Sequence, residues 1–205
     1  MFGEKQLREI ADRTLAFSEA DETEAVVFGL EERLTRFANN EIHQNVAESD
    51  MAIAVRVALG KRVGTATTND VSDEGLRRAV EQATAAARLR PEDPDFPGLP
   101  EPEEVEPVVA FDEPTATYGP GERARVVGEV CRIAQAEGAI ASGAFRTAVH
   151  EVAVANSHGL FVYHPATIAD FTTVVMTDDS AGYSAGASWK VGEADVVGLG
   201  REALD

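Results

Sequence analysis

The histidines of this chain are the residues best suited to metal chemistry, and two of them flank a glutamate. His150 and Glu151 are followed by His158, the residue types with which a zinc protease binds metal and activates water. A helical site of that kind needs its histidines one turn apart. Here the intervening residues alternate as in a β-strand and then form a turn, so the two rings are expected on different strands of a hairpin. Two incidental strand histidines are therefore the preferred interpretation.

Other candidate groups give weaker indications of chemistry. His43, His158 and His164 form an open metal site only if the fold brings them together. Asp178-Asp179-Ser180 resembles a cation-binding carboxylate pair, but adjacent acids beside serine and glycine are typical of an exposed turn. Cys131 lies among valine and isoleucine on a predicted helix, which favours a buried packing residue over a nucleophile. The sequence therefore predicts no catalytic residue and no metal ligand in this chain.

The elements that must position these side chains occur twice in the order helix, antiparallel strands, helix. In the first half we predict helices over 4–19 and 72–90, strands over 25–30 (with a continuation to 36 left open), 42–48, 51–59 and 63–68, and a turn at 37–40. In the second half we predict helices over 120–137 and from 195 onward, and strands over 140–149, 151–155, 160–164, 168–176 and 183–188. The pattern predicts an α+β fold of two helix–antiparallel-sheet–helix units, with a curved and mainly antiparallel sheet.

The predicted domains follow from a change of composition in the middle of the chain. Residues 91–113 are rich in proline and acid and contain no basic residue, which predicts an extended linker. Residues 1–90 form the first predicted α+β unit and residues 114–205 the second. Because the sequence stops at Asp205 inside a predicted helix, the second unit is interpreted as cut short at its C-terminal end.

Charge and composition exclude several classes of protein. The 205 residues include 36 Asp and Glu against 18 Lys and Arg, a formal net charge of -18, which disfavours direct contact with nucleic acid or an anionic membrane. A single cysteine gives no sign of an oxidising compartment. No apolar stretch approaches the roughly 20 residues that span a bilayer. A soluble, cytoplasmic protein is expected.

The strands themselves offer a possible binding surface. A free edge of an antiparallel sheet accepts an extended peptide as an added strand. Polar side chains around the first predicted hairpin are candidate peptide-binding residues, namely Arg36, Asn39, Asn40, His43 and Gln44. The alternative is that these residues only form a turn and an exposed face.

Several segments resemble the amino-terminal half of the TldD/PmbA (TldE) family, the metallopeptidase-related proteins once called modulators of DNA gyrase. They are residues 34–44 (LTRFANNEIHQ), 55–57 (VRV), 60–66 (GKRVGTA) and 94–100 (PDFPGLP). Asn156-Ser157 before Gly159-Leu160 is similar to the Asn-Ser-x-Gly turn at the corresponding place in that family. Asn156 and Ser157 therefore join the candidate substrate-binding residues.

The resemblance implies a two-subunit protein that acts on peptides or unfolded protein segments. In the catalytic branch, a zinc ion on a His-Glu-x-x-x-His helix cleaves peptides that enter a closed chamber as extended strands. His150-Glu151 lacks the second histidine of that motif, which in the family lies downstream of this region. No cofactor is therefore expected in this chain, and the chain is not expected to be catalytic alone. Zinc is expected only in the full-length protein or its partner.

Two interpretations remain open. The chain is the amino-terminal domain of a zinc metallopeptidase-family protein and acts as scaffold and peptide-guiding surface, or it is a metal-free TldE/PmbA-like partner subunit or peptide-binding module. Both imply a homo- or heterodimer with a family member. Direct DNA binding, suggested only by the old family name, conflicts with the acidic charge.

Overall fold

A computed structural model describes all 205 residues, which form five α-helices, six β-strands and one short 3₁₀ turn. The strands make one antiparallel sheet in the order β3-β2-β1-β4-β5-β6, which is not closed and is flanked by helices, so the predicted α+β class is confirmed. None of the helices is long and apolar enough to cross a membrane. The elements are α1 Glu4–Ala16, β1 Glu22–Ala38, β2 Glu41–Leu59, β3 Arg62–Thr68, α2 Asp73–Leu89, α3 Glu113–Thr117, α4 Pro120–Ala136, β4 Ile140–Asn156, β5 Phe161–Met176, β6 Ala181–Ser188, the 3₁₀ turn Val191–Glu193 and α5 Val196–Glu202.

Local sequence signals set the ends of the helices. The hydroxyl of Ser72 accepts a hydrogen bond from the backbone N–H of Gly75 at the start of α2, and Asp195 caps α5 through the N–H of Gly198. Pro120 occupies the first turn of α4, where its missing N–H costs nothing. Gly138 follows α4 with φ 71°, a left-handed conformation that glycine adopts without strain.

Three strands continue through positions at which the sequence patterns predict a break. β2 continues through Ser49-Asp50 and β4 through His150, where the sequence predicts breaks. β5 runs through Pro165, although proline lacks the N–H that a sheet uses. Pro165 is tolerated because amide directions alternate along a strand. Its nitrogen lies on the same side as that of Thr167, whose N–H donates to the Ala110 carbonyl and not to a neighbouring strand.

Packing groups the residues into two compact units, each built from three segments of the chain. The first unit comprises Met1–Leu30, Asp50–Val108 and His150–Pro165. The second unit comprises Glu31–Ser49, Val109–Val149 and Ala166–Asp205. Strands β1, β2, β4 and β5 therefore each contribute residues to both units.

The core of the first unit forms where α1 and α2 meet alternate residues of its strands. Its largest fully buried apolar side chains are Leu7 of α1, Leu76 of α2, Val27 of β1, and Ile53, Val55 and Val57 of β2. Gly64 of β3 lets α2 approach the sheet, because a Cβ at this position would overlap the backbone of Ala83 and Ala87.

The core of the second unit is centred on three phenylalanines of the sheet. Phe37 stacks on Phe171 with ring centroids 5.9 Å apart, and Phe145 meets Phe171 edge-on at 6.1 Å. Val127 and Val130 of α4 are buried in the same cluster, as is Val196 of α5.

Candidate functional site

The second unit has a stretch of strand without a neighbour on its outer side. β3 pairs with β2 only between Ile53 and Leu59, and no backbone hydrogen bond joins residues 41–49 of β2 to any loop. Apart from the half-buried Ile42 and Val46, these residues are exposed. We call residues 41–49 of β2 the open edge. Its outward N–H and C=O groups are available to an extended chain.

β5 also has a part that does not pair with its outer neighbour β6, but another segment of the same chain covers it. The N–H of Thr167 donates to the carbonyl of Ala110 at 2.9 Å, and the N–H of Asp112 donates to the Thr167 hydroxyl at 3.0 Å. The end of the proline-rich tract 91–113 therefore occupies this position on β5, whereas the open edge of β2 has no such cover.

The turn that leads into the open edge is held by one of the predicted residues. Asn39 and Asn40 have φ values of 53° and 61°, the left-handed pair that a tight hairpin turn requires. The Asn40 side chain donates to the Ala139 carbonyl at 2.9 Å and accepts from the Ala141 N–H at 2.8 Å. Asn40 therefore fixes the turn to the start of β4, and Asn39 has no comparable contact.

The other three predicted residues of this group lie along the hairpin. Arg36 of β1 donates to the Gln44 side chain of β2 through a long 3.4 Å hydrogen bond, and both residues are exposed. His43 is exposed on the same strand as Gln44. The structure thus brings Asn39 and Asn40 to the turn and His43 and Gln44 to the open edge, with Arg36 beside them on β1. The assignment of these five residues to substrate binding stays a prediction.

A hydrogen-bond chain that the sequence did not reveal connects the edge to the interior. The guanidinium of Arg123, 1% exposed, donates through Nε to the Thr35 hydroxyl at 3.0 Å. Thr35 in turn donates to the Asn45 side chain on the open edge at 2.7 Å. Arg123 also donates to the Tyr118 carbonyl at 2.7 Å and to the Thr147 hydroxyl at 3.3 Å.

Arg123 is a buried cation whose hydrogen bonds go to hydroxyls and a carbonyl. Burial, with a smaller effect of the Arg33 charge, lowers the pKa of its guanidinium. No sequence signal could have identified this role, because the contacts of Arg123 with Thr35 and Thr147 depend on how the helix packs on the sheet.

Asn156 and Ser157, predicted from the family resemblance, lie in the first unit at the loop between β4 and β5. The Asn156 side chain accepts from the N–H groups of His158 and Leu160 and donates to the Pro100 carbonyl at 2.7 Å. The Ser157 hydroxyl accepts from the Thr23 N–H at 3.1 Å. Both side chains thus hold loops of the protein together, and a role in substrate binding stays a prediction.

Glu151 and His158, which were considered for metal chemistry with His150, contact other residues of the protein. His150 is exposed, whereas Glu151 is 1% exposed and accepts hydrogen bonds from the Phe2 and Gly3 N–H groups and from the Tyr163 hydroxyl. His158 lies between two carboxylates, with Nδ1 3.1 Å from Glu101 and Nε2 3.5 Å from Glu22. No group of three or more histidine, cysteine or acidic residues is arranged to hold a metal ion.

Two models of known protein families match the sequence of the chain. The model of PmbA/TldA metallopeptidase domain 1 matches residues 23–87, and that of the PmbA/TldA metallopeptidase central domain matches residues 97–205. These matches cover most of the chain in sequence order. The chain therefore belongs to the PmbA/TldD family, as the resemblance implied.

Solved structures share the fold. TldE from Thermococcus kodakarensis superposes with a TM-score of 0.81 at 22% identity, over 96% of this chain and 46% of that one. A candidate modulator of a DNA gyrase from Thermotoga maritima gives 0.79 at 14% identity, over 96% and 46%. A candidate modulator of DNA gyrase from Bacteroides thetaiotaomicron gives 0.84 at 13% identity, over 100% and 49%.

These matches describe the fold of this chain and do not assign a function to it. At these identities the likeness concerns the fold alone, and the chain spans about half the length of the structures it matches. No curated protein matches the sequence.

Proposed function

We propose that this chain is the amino-terminal scaffold of a PmbA/TldD-type zinc metallopeptidase-family protein, and that its open edge guides peptides or unfolded protein segments as an added strand. The family membership supports proteolysis as the setting. Because the chain offers no three-ligand metal group, no zinc-dependent step is assigned to its residues. Bond cleavage belongs to the rest of the full-length protein or to a partner subunit.

The observation that carries this proposal is the unpaired stretch 41–49 of β2. An added strand forms main-chain hydrogen bonds irrespective of its sequence, which suits a protein that handles many peptides. The edge is held from behind by the Asn40 turn and by the Arg123–Thr35–Asn45 chain, so little ordering is needed when a peptide binds.

A second candidate function is that of a metal-free partner subunit. The likeness to TldE from Thermococcus kodakarensis favours it. The two candidates share the peptide-guiding edge and differ in whether the full-length protein binds zinc. Elemental analysis of the full-length protein separates them. A full-length metallopeptidase contains zinc, whereas a full-length partner subunit contains none and gains peptidase activity only when a second family member is added.

The proposal extends to partners and location. We propose that the protein works as a homo- or heterodimer with a family member in the cytoplasm, and that it contacts neither nucleic acid nor membrane. The net charge of -18 supports the last point, because it repels phosphate-rich surfaces.

Peptide binding to the chain tests the edge directly. Fluorescence anisotropy with a labelled, unstructured peptide of about nine residues, the length that matches the open edge, gives the Kd. Two adjacent variants, Val46→Pro and Ala47→Pro, form a matched pair because neighbouring amides point to opposite sides of a strand. One proline removes an outward N–H and the other breaks a bond to β1.

The melting temperature of each variant shows which of the two prolines removes the outward N–H. The variant that keeps the wild-type melting temperature is the one that removes the outward N–H. It should weaken peptide binding about five- to thirtyfold, because one or two main-chain hydrogen bonds of about 1 kcal/mol each are lost. Unchanged peptide affinity in that folded variant would contradict the proposal.

A further inference from the structure

The open edge lacks lysine and proline, two of the features that protect a free strand, and carries glutamates instead. Natural edge strands carry lysine, proline, glycine bulges or a covering loop. Residues 41–49 contain no lysine, arginine, proline or glycine, and their charged residues are Glu41 and Glu48. Neither carboxylate forms an ion pair, although both are exposed. The edge is therefore open and negatively charged.

A hollow of about 160 Å³ is lined by the last part of this edge and by residues 31–33 of β1. Its walls include three carboxylates, those of Glu31, Glu32 and Glu48, and one guanidinium, that of Arg33. The volume is several times the roughly 30 Å³ that a water molecule occupies, so one ammonium or guanidinium group fits.

Two of the three carboxylates that line the hollow have a cationic partner, and the third has none. Arg33 contacts Glu31 at 3.1 Å and donates to the Ala116 carbonyl at 2.9 Å. Glu32 pairs with Arg146 at 2.8 Å. Glu48 is left without a cationic partner, and the directly opposite residue of a strand added to the open edge would lie on the same face of the sheet as Glu48.

A second copy of this chain is a poor occupant of the edge. Two copies of residues 41–49 that pair antiparallel bring Glu41 of one close to Glu48 of the other. Like charges in facing strands are destabilising. The overall charge of -18 adds to the repulsion between copies.

We infer that the open edge selects extended segments that carry basic side chains, with a lysine or arginine placed against Glu48. The inference rests on the proposed function, because it requires that the edge accepts an added strand, and it names the class of peptide that binds. The main chain of the peptide supplies most of the affinity, and Glu48 supplies the discrimination between charges.

Three labelled peptides of identical length test this selectivity. They differ only in carrying lysine, glutamine or glutamate at alternate positions, so that all the substituted side chains lie on one side of an extended strand. Their Kd values are measured for the wild type, for Glu48→Gln and for Glu137→Gln. Glu137 is an exposed glutamate of the same unit, outside the edge, and its replacement changes the net charge equally.

The wild type should bind the lysine peptide about two- to fivefold more tightly than the glutamine peptide, the range expected for one exposed ion pair. The glutamate peptide should bind more weakly than both. Glu48→Gln should remove most of the preference and leave the Kd of the glutamine peptide unchanged, while Glu137→Gln should behave as the wild type. The preference should decrease as salt is added.

Three results would overturn the inference. Equal binding of all three peptides, with no effect of Glu48→Gln, rejects charge selection while the proposed function stands. An equal loss of preference in Glu48→Gln and Glu137→Gln assigns the effect to overall charge. Both the proposed function and the inference are rejected if no peptide binds. They are also rejected if the chain self-associates and the proline variant that removes the outward N–H abolishes this self-association.

Discussion

Replacing Glu151 with glutamine tests whether a buried carboxylate anchors the amino-terminal segment. One carboxylate oxygen accepts from the Gly3 N–H at 2.8 Å and from the Tyr163 hydroxyl at 2.6 Å. The other oxygen accepts from the Phe2 N–H at 2.7 Å. The Phe2 ring lies over Gly29, where a Cβ would approach it to 2.8 Å, so the segment fits closely against β1.

The size of the effect follows from the number of acceptors that glutamine offers. One of the two oxygens becomes an NH₂ group, which cannot accept, so either the Phe2 or the Gly3 N–H loses its partner in both orientations of the amide. An unsatisfied buried donor costs about 1–3 kcal/mol, and a hydrogen bond to a charged group contributes about 1.5–3 kcal/mol. We expect Glu151→Gln to lower the free energy of unfolding by about 2–4 kcal/mol.

Tyr163→Phe is the matched control, because it removes one donor and leaves both backbone amides bonded to Glu151. It should cost only about 1–2 kcal/mol. The assay is urea unfolding at pH 7 followed by circular dichroism. If Glu151→Gln is as stable as the wild type, the carboxylate does not anchor the segment.

The same pair of residues predicts a dependence on pH. Burial, followed by the hydrogen bond to Glu151 and its charge, raises the pKa of Tyr163 above the ordinary value of 10.0. The folded protein holds this proton more tightly than the unfolded chain. The stabilisation is therefore complete below pH 10 and is lost as the pH rises above that value. The urea midpoint of the wild type should fall relative to that of Tyr163→Phe in alkaline solution, and parallel curves would refute the assignment.

Two further predictions use matched pairs of variants, measured by urea unfolding. Asn40→Gly keeps the left-handed turn and the main-chain bond to Ala141 but loses the two side-chain bonds to Ala139 and Ala141, so it should cost about 1–2 kcal/mol. Asn39→Gly should change stability by less than about 0.5 kcal/mol. Equal effects would show that the Asn40 side chain does not hold the turn. Gly64→Ala should destabilise the protein by about 1–3 kcal/mol because its methyl group meets the α2 backbone. Gly128→Ala, whose Cβ meets nothing within 4 Å in the middle of α4, should stabilise it by about 0.5–1 kcal/mol, and a stable Gly64→Ala would show that α2 can move away.

The elements that the sequence predicts well are those specified by nearby residues. The start of α2 at Ser72, its end before Pro91 and the Asn39-Asn40 turn each depend on residues a few positions apart. The continuity of β5 through Pro165 depends instead on what lies beside the strand at that point, which no local pattern specifies. The division of the chain at residues 91–113 rests on composition and remains a prediction.

The candidate site shows the same limit. The hairpin residues were predicted because turn-forming asparagines and polar strand residues are visible in the sequence. The partners of Asn40 at positions 139 and 141, and the chain from Arg123 through Thr35 to Asn45, join residues far apart in the sequence. Glu151 was considered for catalysis beside His150, and only its contacts with Phe2, Gly3 and Tyr163 show that it holds the chain together.

The two halves of the chain use the same packing device and differ at their sheet edges. Gly64 of β3 admits the backbone of α2, and Gly182 of β6 admits the end of α5 in the same way, since a Cβ there would overlap the backbone of Ala203. The halves differ in one respect: β5 is covered at Thr167, while residues 41–49 of β2 are left open. The packing of the helices on the sheet does not explain this difference. A long exposed edge without lysine or proline exposes a protein to aggregation. Its presence in an otherwise repeated framework is accounted for if a strand from another molecule is meant to bind there.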